Sequence, residues 1–451
     1  ILVSQRAQRL LDETVTVAIQ HRVMRRTVTL AAMLGQIGLP GGGFGIGYGA
    51  DASIGTMDRA LPWPALNQGV NRVGDFIPVA MVSEMLLNPG ASYDWNGQTR
   101  VFPHIHMVWW AGGNPFHHHQ DLARLSAAFQ RPDCVVVNEL NWTATARHAD
   151  IVLPVTAPQE RVDFAAGTQD NTLIPMPRVA DAPGEARDEY DIYRDLSARL
   201  GMEPGPDSSE MQREMWAKMQ RRAAAVGHTL PDWETFLQGD VIRFEDPSRD
   251  AVYLAAFRRD PVAHPLTTPS GLIELASDVI AGFDYDDCPG HPVWRAPRGW
   301  GTNDRYPFHL ISGQPETRLH SQLDNGDFSV SRKIEGREPV LINTRDALTR
   351  GIAPGDIVEL YNDLGGCLAG AVVTDDVMPG AVFLWTGAWY DPDPEIGRHL
   401  CRHGNPNVLT SDTRTSKLSQ GPAAQSAQVD VRRWMGPAPE VKAFEPPIAP
   451  R

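Results

Sequence analysis

The residues best suited to chemistry gather in two stretches far apart in the chain. The first is Met107-Val-Trp-Trp-Ala-Gly-Gly-Asn-Pro-Phe-His-His-His-Gln120, running into Asp121-Leu-Ala-Arg-Leu-Ser-Ala-Ala-Phe-Gln130. Its apolar run, Met107 to Trp110, predicts a buried strand, which Gly112, Gly113, Asn114 and Pro115 break. Leu122, Leu125, Ala128 and Phe129 then recur at helical spacing. A strand, a glycine turn and a helix opening let bare backbone approach a phosphate and turn helix N–H groups toward an anion. The next predicted strand, Cys134-Val-Val-Val137, ends in Asn138 and Glu139. That is the edge at which an open α/β sheet binds its ligand. In the second stretch Ser312-Gly313-Gln314-Pro315 follows a strand, and Arg318, His320, Ser321 and Gln322 come close behind. So many donors and acceptors within 11 residues is unusual for a core strand and suits a ligand with many polar edges. Asn407 and Gln425 have the same character, although an Asn beside Pro is more often a turn residue.

These residues need elements to carry them. A helix-like pattern over residues 1–34 leads into a glycine-rich stretch, Gly35 to Gly49. No Gly-Lys-Ser/Thr follows it, so a P-loop is excluded, and a loop passing close to another backbone is the plainer reading. Residues 50–100 read as loop, with a short helix near Val79 to Leu87. A strand at Ile151-Val-Leu-Pro154 follows, then an amphipathic helix over Asp188–Leu200 with Ile192, Leu196 and Leu200 on one face. Helices are expected over 201–240, and a turn plus strand over Thr267–Leu275. From about Pro307 the pattern changes to short strands punctuated by Gly, Pro, Asn and Asp, which suggests a β-barrel. Those strands are Phe308–Ile311, Val340–Ile342, Ile357–Tyr361, Cys367–Val373, Ala381–Leu384 and Gln428–Val431. The proline-rich residues Pro437–Arg451 read as a tail. The fold class expected is α/β: a dinucleotide-binding-like α/β domain over 1–200, a helical connecting segment over 201–304, a barrel over 305–435 and a tail over 436–451.

Composition narrows the function further. A net charge of −14 without a Lys/Arg block argues against a nucleic-acid partner. The four cysteines, Cys134, Cys288, Cys367 and Cys401, are scattered without a C-x-x-C pair, which argues against an iron–sulfur cluster, a structural zinc or a disulfide framework. Three adjacent histidines cannot all face one metal on a helix, which argues against a zinc site there. No nucleophilic triad stands out. No run reaches the 18 or so apolar residues of a membrane span. The chain opens on Ile1, without a signal-peptide pattern, and is expected to be part of a longer protein.

Five long motifs carry a resemblance. They are Ala32-Met-Leu-Gly-Gln-Ile-Gly-Leu-Pro-Gly-Gly-Gly43, Trp110-Ala-Gly-Gly-Asn-Pro-Phe-His-His-His-Gln-Asp-Leu122 and Thr143-Ala-Thr-Ala-Arg-His-Ala-Asp-Ile-Val-Leu-Pro154, followed by Gln314-Pro-Glu-Thr-Arg-Leu-His-Ser-Gln322 and His403-Gly-Asn-Pro-Asn-Val-Leu-Thr410. In that order they resemble the carboxyl-terminal half of a molybdenum oxidoreductase of the dimethyl-sulfoxide-reductase family, nearest to its biotin-sulfoxide and trimethylamine-N-oxide branch. The match runs from about Thr29 to Trp434, and residues 1–28 match poorly. The resemblance implies a Mo-bis(molybdopterin guanine dinucleotide) cofactor and a final double-psi β-barrel covering one pterin. It places the molybdenum side-chain ligand upstream of Ile1, so no catalytic residue is assigned here. The implied reaction is oxygen-atom transfer from a small S-oxide or N-oxide, with two electrons from a donor that the sequence does not identify. The alternatives are a truncated cofactor-binding fragment without turnover and another branch of the same family. The compartment stays open, with the cytoplasm preferred to the periplasm.

Under that resemblance the candidate cofactor contacts are Asn114, His118, Asn138, Glu139, Arg161, Asp191, Ser312, Gly313, Gln314, Pro315, Arg318, His320, Ser321, Gln322, Asn407 and Gln425. Arg161 would neutralise a phosphate and Asp191 would accept from guanine N–H groups. Residue by residue the plainer alternatives are solvent-facing histidines at a helix start, a surface Arg and a helix-face Asp. Trp109, Trp110, Trp385 and Trp389 fit either a funnel or core packing.

Overall fold

A computed structural model describes residues 21–43, 70, 72–73, 77–166, 172–244, 252–294, 304–396 and 399–447. Of the helical pattern expected over 1–34, His21–Met33 forms a helix, while residues 1–20, and most of the glycine-rich and loop stretches between 44 and 76, lie outside the described residues. The chain forms two compact units that are not contiguous in sequence. One comprises 1–22, 76–153 and 278–451; the other comprises 23–75 and 154–277.

In the first unit, β1 (Met107–Ala111) pairs in parallel with β2 (Cys134–Glu139), and β3 (Ile151–Pro154) lies on the far side of β2. β1 is not the buried strand its apolar run predicts. It is an edge of this three-stranded sheet, and Met107 is 55% exposed. β2, between two neighbours, buries Val135, Val136 and Val137. The helix Leu122–Phe129 buries the four residues its spacing selects, Leu122, Leu125, Ala128 and Phe129. Residues 92–101, expected as loop, form a hairpin of Ser92–Trp95 with Gln98–Val101. Asn96 and Gly97 both hold positive φ in its two-residue turn, the conformation that an Asn-Gly pair supplies.

The barrel contains the six expected strands: β4 (Phe308–Ile311), β5 (Pro339–Asn343), β6 (Ile357–Tyr361), β7 (Gly366–Thr374), β8 (Ala381–Leu384) and β9 (Gln428–Arg433). They close in the order β5, β8, β4, β9, β6, β7 and back to β5. The β8–β4 and β7–β5 pairs are parallel and the rest antiparallel. Alternate side chains fill the inside: Val340, Ile342, Val358, Leu360, Val382, Leu384, Val429 and Val431 are all fully buried. Truncating one of them, such as Leu360→Ala, costs about 2–5 kcal/mol through lost transfer energy and a cavity.

The second unit has a separate core of Leu173, Trp216, Met219, Ala223, Leu230, Trp233 and Phe236. Three of its helices begin at aspartates whose carboxylates accept backbone N–H bonds: Asp188 before Glu189–Arg199, Asp207 before Ser208–Ala225 and Asp232 before Trp233–Gln238. Two expectations fail here. Leu200, placed on the apolar face of its helix, is 67% exposed at the C-cap, and that helix buries none of its residues. Residues 267–275 form turns and bends, not a strand.

Candidate functional site

The glycine turn and the barrel loops meet within the first unit. Gly112 and Gly113 hold φ of +74° and +78°, a conformation that L side chains rarely adopt, and open space lies where a Gly112 Cβ would stand. Asn114 follows. Its Nδ2 donates to Ser321 Oγ at 3.2 Å, across 207 residues of sequence, and its Oδ1 accepts from Thr145 Oγ1 at 2.5 Å. Asn407 Nδ2 donates to the His117 carbonyl, and Asn405 Nδ2 to the Phe116 carbonyl at 3.0 Å. The His117 and His320 rings lie 5.9 Å apart between centroids. The two sequence clusters therefore form one surface.

The helix opening differs from its expectation. A single short turn, Pro115–His118, intervenes, and the longer helix starts only at Leu122. Its Asp121 cap already accepts the Arg124 N–H at 3.2 Å, so a carboxylate of the chain itself occupies that helix end.

The histidines do not simply face solvent. His117 and His119 are buried, and only His118 of the three is exposed. Burial, reinforced by the neighbouring His118, His320 and Arg318, pushes His117 down to about 3. Burial, with His118 beside it, does the same to His119. Both rings are therefore neutral near pH 7. His117 Nδ1 and His119 Nε2 are buried atoms with no hydrogen-bond partner among the described residues. Among the described residues no group of three or more His, Cys, Asp or Glu side chains is arranged to hold a metal.

In the barrel loop, Gln314, His320 and Gln322 are exposed, whereas Pro315, Arg318 and Ser321 are buried. Gln314 braces His320 twice, at 3.1 Å to its ring and 3.1 Å to its backbone N–H. A Cβ at Gly313 would stand 2.9 Å from the far edge of the Phe383 ring, so a larger residue there would have to push that ring aside. Ser312 Oγ donates to the Leu384 carbonyl at 2.7 Å, and Gln425 reaches the Ser312 carbonyl at 3.4 Å. Arg318 turns inward. It meets Glu338 at 3.0 Å and Asp324 at 3.4 Å, and donates to the Thr386 carbonyl at 2.7 Å; its Nε has no partner among the described residues.

Sequence reasoning missed what lies behind this loop. Lys333 bridges Asp324 at 2.8 Å and Glu338 at 2.9 Å, with its own side chain only 1% exposed. Burial pushes the Asp324 carboxyl up, but His403, Lys333 and Arg318 together pull it below its usual range. His403 is itself driven down to about 3 by burial and by Lys333, so near pH 7 the two permanent cations hold Asp324 ionised. Thr145 and Asn405 were likewise unmarked.

The remaining candidates are more local. Asn138 sits opposite Ala111 at the same sheet edge as the glycine turn, and accepts from Trp109 Nε1 at 3.0 Å. Glu139 accepts from Thr143 Oγ1 at 2.8 Å and from the Leu140 N–H. Arg161 and Asp191 belong to the second unit. Arg161 donates to the Thr156 carbonyl at 2.8 Å, and Asp191 accepts both the N–H and the O–H of Ser208. Of the four tryptophans only Trp389 is a core residue; the others are half-buried. A separate cleft of about 380 Å³ beside β6 and β7, lined by Arg305, Tyr361, Asp363 and His399, contains none of the candidate residues.

Comparison with known proteins identifies the family. Residues 15–199 match the molybdopterin oxidoreductase family, and residues 308–428 match the molydopterin dinucleotide binding domain. The chain is 44% identical to the biotin sulfoxide reductase of Cereibacter sphaeroides over 91% of its own length and 55% of that protein's. It is 42% identical to the dimethyl sulfoxide/trimethylamine N-oxide reductase of the same organism, over 93% and 54%. The figures for the trimethylamine-N-oxide reductase of Haemophilus influenzae are 41%, 93% and 54%. The chain thus spans about half the length of the curated relatives it matches. Acetylene hydratase from Pelobacter acetylenicus, at 19% identity, shares the fold with a TM-score of 0.55 over 74% of this chain and 45% of that one. With both family segments in the expected order, and the barrel closed in the second of them, the chain belongs to the molybdopterin oxidoreductases.

Proposed function

We propose that this chain is the dinucleotide-binding part of a molybdenum enzyme that reduces an S-oxide or N-oxide by oxygen-atom transfer. In the balanced reaction the sulfur–oxygen bond of a sulfoxide breaks, two electrons and two protons are consumed, and the products are the thioether and one water; an amine oxide gives the amine in the same way. The observation that carries the reading is the joint between Asn114 and Ser321, which brings the glycine turn of the sheet and the polar loop of the barrel into one surface. The sulfoxide and N-oxide reductases that the chain resembles supply the substrate class.

The residues fit Mo-bis(molybdopterin guanine dinucleotide). The bare backbone at Gly112 and Gly113 suits close approach of a pyrophosphate. Asn138 and Glu139, at the same edge, suit ribose or guanine edges. Exposed His118, Gln314, His320 and Gln322 offer donors and acceptors to a pterin. The unpartnered buried nitrogens of His117, His119 and Arg318 are what a polar ligand would satisfy. Arg161 and Asp191 are carried as phosphate and guanine contacts by resemblance alone. When bound, the cofactor supplies the two-electron redox chemistry. This chain's part is to bind it, orient it and keep neutral imidazoles beside it, so that no extra positive charge accumulates there. A separate redox protein or small-molecule reductant supplies the electrons.

The test is to purify the longer reading frame containing this chain, measure molybdenum and guanine nucleotide, and assay biotin sulfoxide and trimethylamine N-oxide. Metal near one per chain with turnover on either substrate is expected. A folded, full-length protein with neither metal nor turnover would defeat the proposal.

A further inference from the structure

The proline-rich carboxyl-terminal segment does not behave as a tail. Arg337 donates to the Pro439 carbonyl, and Arg147 Nη1 to the Lys442 carbonyl at 2.9 Å. The Lys442 N–H donates to Asp391 at 2.8 Å, and Asp391 is itself fully buried and paired with Arg402 at 2.6 Å. Ala443 is buried, and the Phe444 ring stands edge-on to Trp389 at 5.2 Å and to His403 at 5.0 Å. The segment is thus clamped by two arginines and a carboxylate, and it ends on an aromatic plug.

What the plug touches matters. Trp389 has three polar commitments: its indole N–H to the Ser321 carbonyl at 2.8 Å, its backbone N–H to Asp324 at 3.0 Å, and its carbonyl to His403 Nδ1 at 3.0 Å. Ser321 in turn receives Asn114. One path of contacts therefore runs from Phe444 through Trp389 and Ser321 to the glycine turn.

We propose that residues 439–444 form a positioning strap: Phe444 fixes Trp389, and Trp389 fixes the loop 314–322 against Asn114. Its arginine clamps hold main-chain carbonyls, and the aromatic edge contact adds binding that depends on the ring itself. Among the described residues the hydrogen bonds and ring contacts of the strap go to Arg147, Arg337, Asp391, Trp389 and His403, so its effect is on the geometry of the loop. The consequence for cofactor retention rests on the function proposed above; the coupling of strap to loop does not.

Amide hydrogen exchange on the 451-residue chain tests it. In Phe444→Ala the amides of His320 and Gln322, both hydrogen-bonded within the loop, are expected to exchange about tenfold faster, with Phe444→Tyr close to the parent. If the alanine variant does not fold, Phe444→Leu gives the same reading. Faster exchange confined to 439–446, with 314–322 unchanged, would overturn the proposal. If the loop responds as expected but the longer protein carries no guanine nucleotide in any variant, the proposed function fails and the strap stands.

Discussion

Two groups of buried polar side chains lie close together at the joint, and they are built in opposite ways. Arg318, Asp324, Lys333 and Glu338 are charged, and each carboxylate faces two cations. His117 and His119 are also buried but neutral, each with one ring nitrogen that no described side chain or backbone group meets. Burying an ion without a partner costs several kcal/mol, whereas a neutral imidazole is dehydrated at far lower cost. The charged group therefore locks geometry, since any change of ion-pair partner exposes an uncompensated charge, and the Nε of Arg318, without a partner among the described residues, is its open donor. The neutral group can accept a polar ligand without first breaking an ion pair. The contrast assigns rigidity to the barrel side of the joint and receptivity to the sheet side.

The sharpest way to break that contrast is Lys333→Met, which leaves Asp324 and Glu338 short of a cation in a dry site. A loss of about 3–5 kcal/mol in urea unfolding is expected. A loss below about 1 kcal/mol would mean that the cluster is not locked. Next comes Gly387→Ala. Gly387 has φ of +97°, and a Cβ there would collide with the His320 carbonyl and stand 2.8 Å from Arg318 Nε. Overpacking against backbone should cost about 1–3 kcal/mol and displace His320, read by its ring NMR signals.

The pH dependence sharpens the neutral side. His117, His119 and His403 are each lowered from 6.5 to about 3 in the folded chain, so the unfolded chain binds more protons between those limits. Stability is fully present above about pH 6.5 and falls as pH drops toward 3, by about 1.4 kcal/mol per pH unit for each histidine once the unfolded chain is protonated. Asp324, lowered from its usual value, adds loss in the same direction only in stronger acid. With His118, lowered to about 4, counted beside them, the expected measurement is histidine uptake of close to four protons on unfolding near pH 5, His148 adding in the same direction, and His403→Gln should remove one of them. The smallest effect is Ser321→Ala, which deletes the bond from Asn114 and should cost about 1 kcal/mol while loosening the glycine turn in hydrogen exchange.

How much of this was legible in the sequence depends on whether the signal was local. The six barrel strands were readable because period-two burial and Gly/Pro punctuation are local features. The helix Leu122–Phe129 was readable from the spacing of four residues. The Asn96-Gly97 hairpin was equally local but was passed over inside a stretch read as loop. The exposure of β1 was not readable, because an apolar run gives strand content and not whether the strand ends up at an edge. Lys333 and Glu338 lie in Ser331-Arg-Lys-Ile-Glu-Gly-Arg-Glu338, which reads as solvated surface charge; only the fold brings Asp324 and Arg318 against them. The docked segment 439–444 was hidden for the same reason: its carbonyls are held by Arg147 and Arg337, about 295 and 102 residues away. Asn114 and Ser321 were each marked as candidates, but nothing in their spacing paired them.

The account turns on those two clusters serving one ligand together. Hydrogen exchange on cofactor-loaded and cofactor-free forms of the longer protein measures this directly. Protection by the cofactor is predicted in 112–119 and in 314–322 at once. Loading of the metal with protection at only one of the two segments would contradict it.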